Sequence, residues 1–317
     1  QVNKACESVV LVTGSSGYVA SDLVPRLRRN HKVVGLDLSP SSNTDFVFDI
    51  ADRETFLSLK KQKLSRLTVI NLAAARFDFG ASAADYFKLN VDCHRRFLAC
   101  LDDLKITHFI HVSSVASLDG REVEYTEYLE CDNAYRATKY LQEKEIQNWC
   151  EAKDVRLTIV YPSAIFSDNA RSDTNIGKLQ SVSKFIPFIP KIEVVKSLTY
   201  LPFFSQFIVD SVEGDIAEGK FLTIEKPSIF VSSMIKIIAG RPIWEINVPF
   251  FPFLLKWVAN FLYVIGFFGK FDLKLTPNRV TKLFTDTSYS HIDLVGIDTT
   301  TYNSRNTQQL SEVLAKL

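Results

Sequence analysis

The sequence predicts a doubly wound α/β fold, a parallel sheet with helices on both faces, joined to a smaller C-terminal domain. Three features of the 317-residue chain point to it. Short β-branched runs alternate with helical stretches through residues 1–160, the pattern of right-handed β-α-β crossovers. A glycine-containing turn joins the first such run to the first helical stretch. The texture then changes near Pro162, after which fall 16 of the 24 phenylalanines and most of the prolines. The expected boundaries are 1–165 for the first domain and 166–317 for the second, with parts of the second returning to the first.

Each element follows from its own pattern. Ser8 to Thr13 is a short apolar run ending at Gly14 and reads as a buried parallel strand. From Gly17 to Asn30, apolar Val19, Leu23, Val24 and Leu27 recur at helical spacing. Lys32 to Asp37 is the second strand and Asp45 to Asp49 the third. A helix is expected over 52–64, with Asp52 as a plausible N-cap. Leu67 to Ala75 is the fourth strand, and a long amphipathic helix is expected over 81–104. Ile106 to Ser114 is the fifth strand. A helix over 133–151 and a sixth strand over 155–161 complete the set. Ligands of such sheets bind beyond the carboxyl ends of the strands.

Composition narrows the function. Hydrophobic residues make up 46% and charged residues 23%, a globular balance. Lys and Arg number 37 against 36 Asp and Glu, a net charge of +1. That lacks the basic excess of a nucleic-acid binder. The five cysteines (Cys6, Cys93, Cys100, Cys131, Cys150) form no CxxC pair and read as free thiols of a reducing, cytoplasmic compartment. The histidines are dispersed, so no metal site is expected. No long apolar segment precedes the first strand, so no secretory leader is expected.

The turn after the first strand reads Thr13-Gly14-Ser15-Ser16-Gly17-Tyr18-Val19-Ala20. Gly14 suits a tight turn. Gly17 has no side chain to block a pyrophosphate, and small Ala20 lets the helix approach the sheet. Gly14, Ser16, Gly17, Tyr18 and Val19 are the expected phosphate seat, where N–H groups at a helix N-terminus face the anion. Asp37 ends the second strand 23 residues after Gly14. A carboxylate there accepts hydrogen bonds from both ribose hydroxyls of NAD and would repel the 2′-phosphate of NADP. Asp49 ends the third strand, where a carboxylate could meet the adenine amino group. Further along, Tyr135 and Lys139 have Y-x-x-x-K spacing, which puts both on one side of a helix. An ammonium beside a phenol favours the ionised phenol, which can exchange protons with a substrate hydroxyl. Ser114, at the end of the fifth strand, can hydrogen-bond the same oxygen.

Taken together these segments resemble the extended short-chain dehydrogenase/reductase family of the NAD-dependent epimerase/dehydratase type. They are TGSSGYVA (13–20), Asp37, Asp49-Ile50, NLAA (71–74), LNV (89–91), VSSV (112–115) and YRATK (135–139). The resemblance implies a Rossmann domain that binds NAD, with Tyr135 transferring the proton. Lys139 would tune it and bind the nicotinamide ribose, and Ser114, or Ser113, would hold the reacting oxygen. It also implies that Asp49 and Ile50 sit at the cofactor and that Leu72, Ala73 and Ala74 line it. Asn90 would support that side, and Pro162 would flank the nicotinamide. Lys196-SLT-Tyr200 and Leu275-TPN-Arg279 resemble segments of nucleotide-sugar epimerases and 4-keto-sugar reductases. The second segment is shared by sterol dehydrogenases. The expected substrate is therefore a secondary alcohol or ketone of a nucleotide-linked sugar, with a sterol-type alcohol or a non-catalytic NAD-binding role as alternatives. The chain departs from the family pattern at Leu201-Pro202-Phe203, at Ala164 and over 290–300, which bears on the substrate more than on the reaction.

Other features stay open between two readings. Arg76 and Arg279 suit a substrate phosphate or a solvated surface. The aromatics from Phe185 to Phe207 suit a nucleotide base or the core. The apolar run 248–268 is long enough for a bilayer, but Pro249, Pro252, Lys256 and Asn260 interrupt it. A helix there is expected to dock Leu254, Trp257, Val258, Phe261 and Leu262 on the protein's own second domain, with a membrane surface as the alternative. A homodimer is compatible with the sequence.

Overall fold

The structure is a computed structural model that describes residues 8–52, 56, 66–74, 82–120, 131–167, 177, 181, 183, 185–225, 228–239, 242–248, 250–269, 281, 284–289 and 297–298. Over those residues the chain divides into two compact units. One comprises Gln1–Ile165, Thr199–Thr223 and Asp293–Tyr302, and the other Phe166–Leu198, Ile224–Ile292 and Asn303–Leu317.

The first unit is built on an eight-stranded sheet. Its strands are β1 (Ser8–Thr13), β2 (Lys32–Asp37), β3 (Phe46–Val47), β4 (Arg66–Asn71), β5 (Ile106–Val112), β6 (Arg156–Pro162), β7 (Gly219–Thr223) and β8 (Ile297–Asp298). The spatial order is β8-β7-β6-β5-β4-β1-β2-β3, and every paired neighbour is parallel. The strand order reverses between β1 and β4, so the crevice at their carboxyl ends is the topological switch point.

Apolar side chains cover both faces. On one, Val9, Leu11, Val69 and Phe109 pack with Phe97, Leu101, Ile146 and Cys150 from helices. On the other, Val10, Val12, Ile70 and Ile110 pack with Leu23, Val24 and Leu27 of α1 (Tyr18–Leu27). A later helix, α6 (Leu201–Glu213), adds Phe204 and Phe207 to that second face. The central strands are thus apolar on both sides, which explains their near-continuous Val/Ile/Leu runs.

Several elements differ from expectation. The third strand pairs only through Phe46 and Val47, which meet Leu36 and Asp37, because the chain turns at Asp49, whose carboxylate accepts the Ala51 N–H. The fourth strand stops at Asn71, whose side chain is held by Thr13. The expected 52–64 helix lies almost wholly outside the described residues. The expected 81–104 helix is three pieces: α2 (Ala83–Phe87), a π-helical turn (Lys88–Asp92) and α3 (Cys93–Leu101). Ser82 starts α2 with a capping box to Asp85. The wide turn brings Asn90, Val91, Cys93 and His94 all inside, more than one α-helical stripe would bury.

In the second unit, Ile189, Ile192 and Ile243 form a small core with Val231 and Ile235 of α7 (Val231–Ala239). Strand Trp244–Ile246 runs parallel to Phe188–Pro190. Phe251–Gly269 is one helix, and no helix among the described residues is long and apolar enough to cross a membrane.

Candidate active site

The turn after β1 is shaped by what cannot fit there. Gly14 has φ +71°, and a Cβ on it would lie 2.9 Å from the Ala73 backbone nitrogen and 3.0 Å from the Leu72 carbonyl carbon. Only glycine meets both conditions without strain. The close approach sets the turn after β1 directly against the segment after β4, at the switch point. Gly17 is the N-cap of α1, and its N–H reaches the Gly14 carbonyl at 3.1 Å. Tyr18 and Val19 open the helix and pack partly on the core. Asp37 closes the corner from β2: its carboxylate accepts the Ser16 N–H at 2.9 Å and the Ser39 N–H at 3.0 Å. The loop and the acid are therefore one hydrogen-bonded unit.

The other predicted cofactor residues belong to the same unit. Leu72 and Ala73 are half-buried and Ala74 exposed. The Ala73 N–H donates to Thr13 Oγ1 at 3.3 Å. Asp49 is exposed, and its carboxylate also accepts from Cys93 Sγ at 3.3 Å. Ile50 is buried in the core cluster that holds Val9, Leu11, Val34 and Leu36. Asn90 is buried, with its amide donating to Thr138 Oγ1 at 3.3 Å. Pro162 is the buried last residue of β6.

Two helices present the expected catalytic residues in the same unit. Ser114 lies just past β5, and its hydroxyl accepts the Ala116 N–H at 3.2 Å, capping α4 (Val115–Gly120). Ser114 is half-buried. Ser113 is buried, and its hydroxyl donates to Ser117 at 3.0 Å and lies 3.3 Å from Glu143. Tyr135 and Lys139 sit on α5 (Cys131–Lys153). α4 meets α5 at Gly120, where a Cβ would fall 2.1 Å from the Arg136 carbonyl oxygen. Only a hydrogen fits, so the helix starting after Ser114 lies flush on the helix carrying Tyr135. Tyr135 is half-buried, with the Tyr86 ring edge-on at 6.0 Å.

Lys139 is fully buried. Its ammonium donates to Gln142 Oε1 at 2.7 Å and to the Val112 carbonyl at 3.4 Å. Because the amide oxygen faces lysine, the Gln142 nitrogen faces His94 Nε2, 2.6 Å away, and that nitrogen accepts. Asn71 then bridges Thr13 (2.7 Å) and His111 Nδ1 (3.2 Å). Burial pushes the Lys139 pKa down to about 8, opposed by the Glu143 charge. Burial and then the Lys139 charge push His94 down to about 3, so its imidazole is neutral, as the acceptor role requires. His111 is lowered for the same reasons. Glu143 Oε1 accepts from Tyr161 at 2.6 Å and pairs with Lys220 at 3.2 Å.

Sequence reading missed His94, His111, Gln142, Asn71 and Glu143. The one local signal was Gln142 and Glu143, three and four residues after Lys139 on the same helix. The other three converge only through the sheet. Arg76 and Arg279 lie outside the described residues. Of the late aromatics, Phe204 and Phe207 are core, whereas Phe185 and Phe188 are exposed. Cys93, Cys100 and Cys150 are free thiols, with burial raising Cys93 and Cys150 to about 12.

A doubly wound parallel sheet with this glycine corner and β2 carboxylate at its switch point is the arrangement of a dinucleotide-binding protein. The residues fit NAD: Gly14 leaves its crevice clear, and the carboxylate is already oriented at the end of β2. The chain belongs to the NAD dependent epimerase/dehydratase family, whose model matches residues 10–202, and NAD is the cofactor of that family. Among curated proteins it is similar to an N-acetyl-alpha-D-glucosaminyl-diphospho-ditrans,octacis-undecaprenol 4-epimerase of Escherichia coli O157:H7. The two are 24% identical over 233 residues, covering 71% of this chain and 70% of the relative. Among solved structures it resembles the UDP-glucuronic acid 4-epimerase of Bacillus cereus in complex with NAD (TM-score 0.59, 20% identity, 76% of this chain and 87% of that one). It also resembles the UDP-N-acetylglucosamine 4-epimerase of the same species (TM-score 0.60, 13% identity, 76% and 86%). At those identities the structures establish the shared fold.

Proposed function

We propose that the chain is an NAD-dependent epimerase acting on a secondary alcohol of a sugar carried on a diphosphate, with Ser114, Tyr135 and Lys139 as its catalytic residues. The observation that carries this is the flush contact of α4 and α5 at Gly120, which packs the helix that Ser114 caps against the helix that carries Tyr135. When bound, NAD supplies a reversible hydride acceptor. Ser114, half-buried and free of Glu143, hydrogen-bonds the reacting oxygen, whereas the Ser113 hydroxyl is committed inside. Tyr135 Oη takes the proton of that oxygen and returns it. Lys139, anchored by Gln142, places its positive charge near that phenol and the ribose. Gly14, Ser16, Gly17, Tyr18 and Val19 hold the pyrophosphate, and Asp37 the adenosine ribose. Leu72, Ala73, Ala74, Asn90 and Pro162 shape the rest of the cradle, and the second unit carries most of the substrate contacts.

A diphosphate-linked sugar is supported by the names of the relatives, three of which are 4-epimerases. In two the sugar is carried on UDP and in one on a polyprenol diphosphate. The test is to release small molecules from the purified protein for mass spectrometry, then incubate it with UDP-N-acetylglucosamine and NAD. A 4-epimer formed without net NAD reduction is the expected result. A co-purifying sterol, or turnover of sterols only, would replace this reading by the sterol-type alternative.

A further inference from the structure

The helix over Phe251–Gly269, α8 below, does not sit as its apolar stripe predicts. Its covered side carries Ala259, fully buried, with Phe251, Leu255 and Val258 half-covered. At 100° per residue these four fall within one arc. The opposite arc carries Phe253, Leu254, Trp257 and Phe261, which are 73%, 52%, 58% and 55% exposed. The expectation that Leu254, Trp257 and Phe261 dock on the protein is thereby corrected: small Ala259 lets the other side lie close, and the bulky side faces solvent. Trp257 and Phe261 stack on one another, with ring centroids 5.9 Å apart and planes 5° from parallel. Phe250 and Trp244, just before the helix, are also exposed. An aromatic arc of this size on a surface marks a binding face.

The charges say what covers it. From Ile246 to Phe271 the sequence has no Asp or Glu, and its only charges are Lys256 and Lys270. Lys256 is exposed, flanks the aromatic arc, and has no ion-pair partner among the described residues. Glu245, the acid nearest in sequence, is paired with Lys236 at 2.7 Å. Trp, Phe and Leu on one arc, a lysine at its rim and no carboxylate is the composition of a helix lying in the headgroup region of a bilayer. The rings enter the acyl boundary, and the ammonium reaches up to lipid phosphate.

We propose that α8 is a monotopic membrane anchor that binds the surface of an anionic phospholipid bilayer through Phe253, Leu254, Trp257 and Phe261, with Lys256 at the phosphate level. This goes beyond the proposed reaction, since it gives the protein a place of work: a two-dimensional surface on which a lipid-carried substrate is concentrated.

The test is flotation of the full chain with vesicles of phosphatidylcholine alone and of phosphatidylcholine mixed with phosphatidylglycerol, at low and high salt. The chain should float with the mixed vesicles, and the bound fraction should persist in high salt because ring insertion is not screened. Tryptophan emission should shift to the blue on vesicle addition, and Trp257→Phe should remove most of that shift. The triple variant F253S/W257S/F261S should lose binding roughly tenfold or more. Failure of the unmodified chain to float with either vesicle overturns the proposal. So does a dimer of the unmodified chain that the triple variant dissolves while vesicle binding stays nil, which would assign the arc to a second copy. Flotation is read without substrate and epimerisation without vesicles, so either reading can fail alone.

Discussion

The glycine corner and the aromatic helix are opposite cases within one chain. At the corner, position is enforced from several sides. Gly14 is pressed against Ala73, the carboxylate of Asp37 is held by two N–H groups, and Lys139 is tied to His94 through Gln142. On α8, among the described residues, the outward arc is held only by the helix that carries it. The first arrangement makes each atom costly to change, and the second makes side chains cheap to change for the fold. Rigid polar chemistry and adaptable apolar surface thus occupy different units of the molecule.

Mutations can break that contrast. Tyr135→Phe removes one hydroxyl and should lower the epimerisation rate at least ~10²-fold, the low end for proton-transfer catalysis, while NAD titration shows near-normal binding. Near-normal turnover would remove Tyr135 from the mechanism. Gly14→Ala places a methyl 2.9 Å from the Ala73 nitrogen at φ +71° and should weaken NAD binding about tenfold or more through backbone strain. Isothermal titration checks it.

A third test concerns the buried histidines. His94 and His108 are held near pKa 3 by burial, and His111 is lowered likewise. Their native pKa values lie below the unfolded value of about 6.5. The unfolded chain therefore binds more protons between the two, and stability is lost as pH falls from about 6.5 toward 3. Denaturant midpoints measured across that range should drop steadily, and a flat profile would contradict the neutral imidazoles. Asp37→Ala should weaken NAD several-fold and narrow its preference over NADP, read by titrating both cofactors. The smallest effect is expected on α8, where F253S/W257S/F261S should leave the unfolding free energy within about 0.5 kcal/mol per site, as for other exposed positions. A large loss would mean that the arc is covered after all.

The corner was legible because its causes are local. A strand, a glycine turn, a helix and an acid ending the next strand occupy 30 consecutive residues, Ser8 to Asp37, and each follows from its own pattern. Ser113 and Ser114 could not be told apart from sequence, because the difference is the buried Glu143 reached only through α5. The His94–Gln142–Lys139 chain was invisible for the same reason: it joins residues 48 positions apart. α8 shows another limit. Periodicity finds an apolar stripe, but Phe251, Leu255, Val258 and Ala259 make a second, smaller one. Which of the two is covered depends on how closely the backbone can approach its support.

The π-helical turn at Lys88–Asp92 also sets a rule for comparing and recombining this protein with its relatives. A π-turn spends one more residue per revolution than an α-turn. When this segment is aligned with a regular helix, the gap belongs inside 88–92. If it is left out, every later side chain is misread by one position, about 100° around the helix. A chimera that swapped α3 without the π-turn would aim His94 away from Gln142 and Phe97 away from the core, even with every residue of α3 retained. The unit of exchange is therefore the whole stretch from Ser82 to Leu101.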